Sequence, residues 1–165
     1  MISGAAAGLA IRLAKKYSKA EITGTDFWGS GWDYCQKQCK ENASLEGVAD
    51  RTDFHQASAS LLPFPDETFD LVVSNLTFHE VKDTRNKRDL IKEALRVVKK
   101  GGTFVFQDLF LIKQYYGTPY GLVAAAKAAG AKTTEFVNTS TSPFIPRALR
   151  LPFMLGTLGL LHGEK

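Results

Sequence analysis

Strand-like and helix-like segments alternate along this chain, and the alternation limits the fold more than any other feature of the sequence. Short β-rich apolar runs are separated by segments whose apolar residues recur every three or four positions. Roughly five alternations predict an α/β, doubly wound, mostly parallel sheet with helices on both faces. The predicted strands are residues 21–26, 52–56, 69–74, 103–108 and 134–138, and the predicted helices are residues 9–17, 33–43, 88–100 and 120–129.

The composition is that of one folded domain. Hydrophobic residues make up 44% and charged residues 23% of the chain, which argues against disorder. A length of 165 residues leaves little room for a second domain, so we predict a single domain over residues 1–165. The net charge of +4 is spread along the chain rather than gathered in a basic stripe, so no nucleic-acid partner is indicated.

The sequence gives no sign of a membrane span or of a metal site. No apolar run approaches the roughly 20 residues that a span needs, and the small-residue start lacks the basic residues of a signal peptide. Cys35 and Cys39 lie in a polar segment without further residues at metal-ligand spacing. We interpret them as reduced surface thiols of a cytoplasmic protein.

Ligands of an open α/β sheet bind beyond the carboxyl ends of its strands. The residues that directly follow the predicted strands are therefore the candidate site residues. Asp26 ends one such strand, and its carboxylate can accept hydrogen bonds from two vicinal ribose hydroxyls. From position alone, a helix N-cap or a solvated loop acid is an equal alternative.

Residues 26–28, 56–64, 69–75 and 95–102 form four short segments with characteristic residues. Taken in this order, they resemble class I S-adenosylmethionine-dependent methyltransferases of the type 11 group. A Leu-Pro-Phe sequence is followed by Phe-Asp-Leu-Val and then by Arg-Val-Val-Lys-Lys-Gly-Gly, an order seldom met elsewhere. The resemblance extends from about Leu9 to Asp108. It implies a Rossmann-like methyltransferase fold and S-adenosylmethionine as the cofactor.

The resemblance also implies roles for individual residues at the adenosine end of the cofactor. Asp26 matches the acid that holds the ribose hydroxyls, and Phe27 matches the next position, whose side chain packs against adenine. Ser58 and Ala59 match a pair that usually reads Asp-Ala and contacts the adenine ring. Serine in place of the acid keeps a hydrogen-bond acceptor but loses its charge.

The methionine end of the site departs from the family pattern. Asn75 and Leu76 match the loop that passes the methionine part and the transferred methyl group. The family opens with a strand that ends in an acid and a glycine-rich turn, and here only Gly4 and Gly8 are candidates for that turn. We therefore expect an N-terminally truncated version of the fold, without the first strand and with weak cofactor binding.

Three explanations for this departure stay open. The start is truncated or misassigned, a partner chain supplies the strand, or the chain is a degenerate relative that binds weakly. A chain without this strand would leave the edges of its neighbours unpaired and apolar surface exposed, which an oligomer would cover.

His79 is the candidate general base. It follows the fourth predicted strand, and histidine is the side chain most easily poised near neutral pH. The alternative is a helix-start residue that hydrogen-bonds the loop, and it has more weight because positioning supplies most of the rate in many methyl transfers. The charged run of residues 82–88 is interpreted as a solvated loop.

Aromatic residues lie near both ends of the expected site. Trp28 and Trp32 flank glycines and form either a lid over the cofactor or a cap on the core. Tyr115, Tyr116 and Tyr120 either line an acceptor pocket or pack half-buried.

Two functions follow from the sequence. The first is methyl transfer from S-adenosylmethionine to an unidentified acceptor, for which a small molecule is favoured and no catalytic residue is assigned. The alternative is a non-catalytic methyltransferase-like domain that binds a partner.

Overall fold

The computed structural model describes residues 2–3, 6–28, 36–152 and 154–165. Within these ranges seven strands form one sheet with helices packed against it. The strands are β1 (Ile2–Ser3), β2 (Ile22–Asp26), β3 (Thr52–Gln56), β4 (Phe69–Asn75), β5 (Val98–Asp108), β6 (Thr133–Asn138) and β7 (Gly159–Glu164). The α-helices are α1 (Ala6–Lys16), α2 (Gln36–Leu45), α3 (Arg88–Arg96), α4 (Lys113–Tyr116) and α5 (Pro119–Ala128). Single 3-10 turns cover Ala49–Arg51, Phe78–Glu80 and Arg147–Leu149.

The strand order is β3-β2-β1-β4-β5-β7-β6. The first five strands in this order are parallel, and β7 is antiparallel to both of its neighbours. Parallel neighbours need long crossover connections, which the helices provide. The predicted doubly wound, mostly parallel fold is therefore confirmed. No helix in the described ranges has the length and apolar character that a membrane crossing requires.

The centre of the sheet holds a first strand, contrary to the expectation that this strand is absent. Ile2 pairs in parallel with Gly24 of β2 and with Val73 of β4, and Ser3 pairs with their next residues. The expected loss of a partner shared by β2 and β4 therefore does not occur. A single apolar residue carries no recognisable strand pattern in the sequence, and pairing on both sides defines β1.

Two apolar clusters cover the two faces of the sheet. Val72 of β4 belongs to one cluster and its neighbour Val73 packs against the other, because successive strand residues point to opposite faces. Cys39 of α2 belongs to the cluster on the Val73 face of the sheet and is 1% exposed. The prediction of a surface thiol at Cys39 is therefore wrong. Cys39 behaves as a small apolar side chain on the inner face of its helix. Cys35, Trp32 and Gly4 lie outside the described residues.

The predicted helix over residues 88–100 ends at Arg96, earlier than expected. Val98 already pairs with Phe69 of β4, so the following residues extend the sheet rather than the helix. Gly101 has φ of 76°, and a Cβ on Gly102 would lie 2.9 Å from the carbonyl oxygen of Lys99. The two glycines therefore belong to a bend in β5 and do not cap a helix.

Candidate active site

The carboxyl ends of four parallel strands lie level with one another. Ser3 of β1 pairs with Thr25 of β2 and with Ser74 of β4, so the last residues of β2 and β4 lie one position beyond Ser3. These last residues are Asp26, which pairs with Gln56 of β3, and Asn75, which pairs with Gln107 of β5. This edge is formed by Gln56, Asp26, Asn75 and Gln107, with Asp108 one position further along β5.

Asp26 lies at this edge as predicted. The backbone N–H of Trp28 donates to Oδ1 of Asp26 over 3.4 Å, and Nε2 of Gln56 donates to the carbonyl oxygen of Phe27 over 2.9 Å. The Phe27 side chain is 62% exposed, so its ring is accessible to a ligand. The indole Nε1 of Trp28 is buried and has no hydrogen-bond partner among the described residues. A carboxylate and an accessible aromatic ring therefore lie together beyond β2.

Left-handed backbone occurs at two of these strand ends. Trp28 has φ of 43° and follows β2, and Leu76 has φ of 51° and follows β4. The Leu76 backbone N–H donates to the carbonyl oxygen of Gln107 over 2.8 Å, which holds this conformation against β5. Non-glycine residues seldom adopt positive φ, and such residues are concentrated at ligand sites.

The loop after β3 carries a chain of hydroxyl groups that ends on a carboxylate. The Oγ atoms of Ser58 and Ser60 lie 2.9 Å apart, and Ser60 Oγ donates to Oδ2 of Asp83 over 2.8 Å. Burial raises the pKa of Asp83, but hydrogen bonds from both serines outweigh it, so this pKa lies below its usual value. Ala59 is buried, so only its backbone is available to a ligand. No sequence pattern indicates a role for Asp83, which lies 23 positions from Ser60 along the chain.

At the β5 end of the edge, hydrogen-bond donors converge on Asp108. This fully buried carboxylate accepts hydrogen bonds from the backbone N–H groups of Phe78 and Leu109 at 2.8 and 2.7 Å. The Tyr116 hydroxyl donates to it over 3.2 Å, and Nδ1 of His79 lies 2.8 Å from its Oδ1. Because an ionised carboxylate only accepts, the proton between His79 and Asp108 is on Nδ1.

The electrostatics of His79 favour its charged form. Burial lowers the pKa of His79, but the hydrogen bond and charge of Asp108, with the charge of Glu80, raise it further, so the net pKa lies above the usual value. Nε2 of His79 is 3.1 Å from Oε1 of Glu80. The His79 side chain is 18% exposed, so it is partly accessible from solvent.

Of the three tyrosines that follow β5, Tyr116 is fully buried, which agrees with the packing alternative, and burial with the charge of Asp108 raises its pKa far above the usual value. Tyr115 and Tyr120 are exposed. One expectation about this region needs correction. Lys87, predicted to lie in a solvated loop, is buried and donates to the carbonyl oxygen of Val81.

Gly8 does not lie in a glycine-rich turn. It belongs to the first turns of α1, without positive φ, and a Cβ there would meet nothing within 4 Å. It lines a shallow groove between α1 and α2. The expectation of a turn that needs glycine is therefore wrong at Gly8, and its contact with a cofactor stays a prediction.

A cavity at the other edge of the sheet lies away from these residues. It has a volume of about 820 Å³ and is lined by residues at the amino ends of β2 and β4, including Ile22, Phe69 and Leu71. The candidate site residues are at the carboxyl ends of the same strands. The cavity therefore contains none of the groups that could act on a ligand at the site.

The groups at the carboxyl edge fit the adenosine part of S-adenosylmethionine. Asp26 offers a carboxylate to a ribose diol, Phe27 offers an accessible ring, and Ser58 offers a hydroxyl oxygen. Strand order, the antiparallel β7 and this edge together define a class I methyltransferase fold.

The comparison with protein families agrees with this class. A family model described as "Methyltransferase domain" matches residues 2–106. This chain belongs to that family of S-adenosylmethionine-dependent methyltransferases.

Curated relatives include enzymes with different acceptors. The chain is 27% identical to the ubiquinone/menaquinone biosynthesis C-methyltransferase UbiE of Desulfotalea psychrophila, over 95% of this chain and 69% of that protein. It is 32% identical to the 27-O-demethylrifamycin SV methyltransferase of Amycolatopsis mediterranei, over 64% of this chain and 37% of that protein. The chain thus spans little more than a third of the second relative.

Solved structures share the fold at low identity. Geranyl diphosphate C-methyltransferase from Streptomyces coelicolor A3(2), a complex with S-adenosyl-L-homocysteine, aligns with a TM-score of 0.70 and 12% identity. That alignment covers 99% of this chain and 70% of the other. The YcgJ protein of Bacillus subtilis aligns with a TM-score of 0.65 and 22% identity, over 83% of this chain and 62% of that one.

Proposed function

We propose that this chain transfers a methyl group from S-adenosylmethionine to a small-molecule acceptor, and that His79 removes the proton of the attacking atom. The observation that carries the proposal is the 2.8 Å contact between Nδ1 of His79 and the buried carboxylate of Asp108. This contact fixes the tautomer and the orientation of the imidazole ring.

Residues of this chain bind the cofactor, orient the reacting groups and accept a proton. The bound cofactor supplies a methyl group already activated on a sulfonium. Asp26 holds the ribose at the end of β2, and the loop at Asn75 and Leu76 directs the reacting groups towards each other. Orientation of this kind supplies most of the rate in a displacement with a good leaving group.

His79 can then act through Nε2. With its proton on Nδ1, the neutral ring has a lone pair on Nε2, the nitrogen that faces Glu80. Glu80, which faces Nε2, is 51% exposed and can turn into solvent when an acceptor binds. Proton uptake forms an imidazolium that Asp108 stabilises. The acceptor atom therefore carries a removable proton, as a hydroxyl or an acidic carbon does.

A small organic acceptor is supported by the relatives and by the surface beyond β5. The curated names of the relatives refer to ubiquinone and menaquinone, a rifamycin and phthiotriol compounds. Tyr115 and Tyr120 expose aromatic surface in the segment that follows Asp108. Exposed tyrosines bind flat organic molecules through a rigid apolar face with a polar end.

The test is a turnover assay with S-adenosylmethionine and a panel of phenols and hydroquinones, with S-adenosylhomocysteine quantified by mass spectrometry. For each acceptor that is methylated, we expect His79→Gln to lower turnover by about 10²- to 10⁴-fold, the usual contribution of a general base. Cofactor affinity of the variant should stay at the wild-type value.

His162→Gln is the matched control, since His162 lies on β7 and faces Glu135 rather than the candidate site. It should turn over like the wild type. Equal turnover by His79→Gln and the wild type would exclude His79 as the base.

A further inference from the structure

The connection between β6 and β7 leaves the sheet beside the candidate site. It spans residues 139–158, which we term the β6–β7 loop. Gly159, the first residue of β7, pairs with Asn138 of β6 on one side and with Asp108 of β5 on the other. The backbone N–H of Leu111, in the segment after β5, donates to the carbonyl oxygen of Thr157 over 3.0 Å. The loop therefore starts and ends at the edge of the sheet that carries Asp108.

Large apolar side chains of this loop face solvent. The Phe144 side chain is 93% exposed, and Leu151 and Met154 are 45% and 37% exposed. Loop tips more often carry glycine, asparagine, aspartate or serine, whose backbone and side-chain chemistry suits turns. Large apolar groups that are exposed together mark surfaces that contact another body. The β6–β7 loop therefore has the character of a contact surface.

The exposure of Phe144 belongs to a folded turn. Nε of Arg150 donates to the carbonyl oxygen of Ile145, and Nη2 donates to that of Ser142, each over 3.0 Å. The Ile145 side chain is buried, and the backbone N–H of Phe144 donates to Oγ of Ser142 over 3.4 Å. The residues on both sides of Phe144 are thus held, and the turn presents the ring outwards.

This part of the edge carries positive charge. Basic residues are spread along the whole chain, but acidic residues are not, since residues 109–163 contain Glu135 as their single acid. The two segments that leave the edge after β5 and β6, residues 109–118 and 139–158, contain Lys113, Arg147 and Arg150 and no acid. Arg147 is exposed and lies three positions from Phe144. Apolar side chains beside unbalanced basic residues are typical of segments that bind anionic lipid surfaces.

We infer that the β6–β7 loop docks this protein on the surface of an anionic lipid bilayer. The Phe144 ring enters the boundary between headgroups and acyl chains, where aromatic side chains are favoured. Arg147 contacts the anionic headgroups beside it. Because the loop leaves the sheet at the edge that carries Asp108, docking turns this edge towards the lipid. Such docking requires neither cofactor nor acceptor and therefore goes beyond the proposed methyl transfer.

Co-sedimentation of the whole chain with two kinds of vesicle tests the docking. One kind is phosphatidylcholine alone, and the other is an equal mixture of phosphatidylcholine and phosphatidylglycerol. We expect the wild type to bind the anionic vesicles about tenfold or more tightly than the neutral ones, and added salt should weaken this binding. Phe144→Ser should lower the affinity for anionic vesicles about tenfold, because the apolar contact is lost. Arg147→Gln should lower it about fivefold.

Two matched controls lie at the opposite edge of the sheet. Leu45 is 86% exposed at the end of α2, the helix that leads to the amino end of β3. The Lys100 side chain is 85% exposed near the amino end of β5. Leu45→Ser and Lys100→Gln should therefore bind both kinds of vesicle like the wild type. The free energy of unfolding of Phe144→Ser should equal that of the wild type, because the ring is exposed.

The outcomes distinguish a lipid surface from other occupants. Equal binding of the wild type to both kinds of vesicle would overturn the inference, as would an equal loss in Phe144→Ser and Leu45→Ser. Self-association through Phe144 without vesicle binding, measured by light scattering, would identify a second copy of the chain as the occupant and would also overturn it. Turnover of soluble phenols by a protein that binds no vesicles would overturn the docking and leave the proposed methyl transfer intact.

Discussion

Nδ1 of His79 lies 2.8 Å from Oδ1 of Asp108, a residue 29 positions further along the chain. The contact joins the turn after β4 to the carboxyl end of β5, so the position of the imidazole depends on the central sheet. Asp108 is fully buried and accepts three further hydrogen bonds. A carboxylate that accepts this many hydrogen bonds is fixed in position, and it therefore orients His79 in turn.

The pH dependence of turnover should report the pKa of His79. A base must be neutral to take a proton, so the rate should rise with pH through a midpoint above 6.5, the ordinary histidine value, because Asp108 and Glu80 raise the pKa of His79 in the folded protein. Glu80→Gln removes one of these charges and should move the midpoint to lower pH. Glu135→Gln, which lies beside His162 instead, should leave the midpoint in place. A rate independent of pH from 5 to 9 would contradict the assignment.

Asp108→Asn should destabilise the fold. The amide has one acceptor oxygen where the carboxylate serves four donors, so buried N–H or O–H groups lose their partner. We expect a loss of about 2–4 kcal/mol in the free energy of unfolding, measured by urea denaturation. Tyr116→Phe removes a single donor and should cost about 1–2 kcal/mol. Equal stability of Asp108→Asn and the wild type would show that the network is not a structural anchor.

Asp26→Ala should weaken binding of S-adenosylhomocysteine at least tenfold while the protein stays folded. The carboxylate at the end of β2 is positioned for two charge-assisted hydrogen bonds to the ribose, each contributing about 1.5–3 kcal/mol. Calorimetry measures the affinity, and Asp70→Ala at the opposite end of the sheet is the control. Unchanged affinity of Asp26→Ala would remove Asp26 from the cofactor site.

Two glycine-to-alanine changes should act in opposite directions on stability. A Cβ on Gly163 would lie 1.9 Å from the Thr133 carbonyl oxygen in the neighbouring strand, so Gly163→Ala should cost about 2 kcal/mol or more. Gly8 lies within α1 with open space around it, so Gly8→Ala should stabilise the fold by about 0.5–1 kcal/mol. Thermal and urea unfolding measure the change in stability of both variants. A Gly163→Ala variant as stable as the wild type would mean that β6 and β7 can move apart at little cost in free energy.

The sequence by itself determined the elements whose signal is local. The strand predicted over residues 52–56 has the same bounds in the structure, and β2 and β4 differ from prediction by one residue each. Apolar β-rich runs and amphipathic periodicity specify such elements through propensity and burial of one face. Parallel strands joined by helices also place their carboxyl ends on one edge, so Asp26 and Asn75 could be assigned to the site edge before any coordinates were known.

Only the tertiary structure decided the features that depend on distant partners. Two residues become β1 because β2 and β4 offer hydrogen bonds on both sides. Asp108, at the end of β5, orients His79 across 29 positions of sequence, and Asp83 contacts Ser60 across 23 positions. Hydrogen-bond geometry and the burial of charge arise only when the sheet brings these segments together, and no local pattern encodes them. The local sequence therefore sets the frame of the site, and long-range packing sets its proton chemistry.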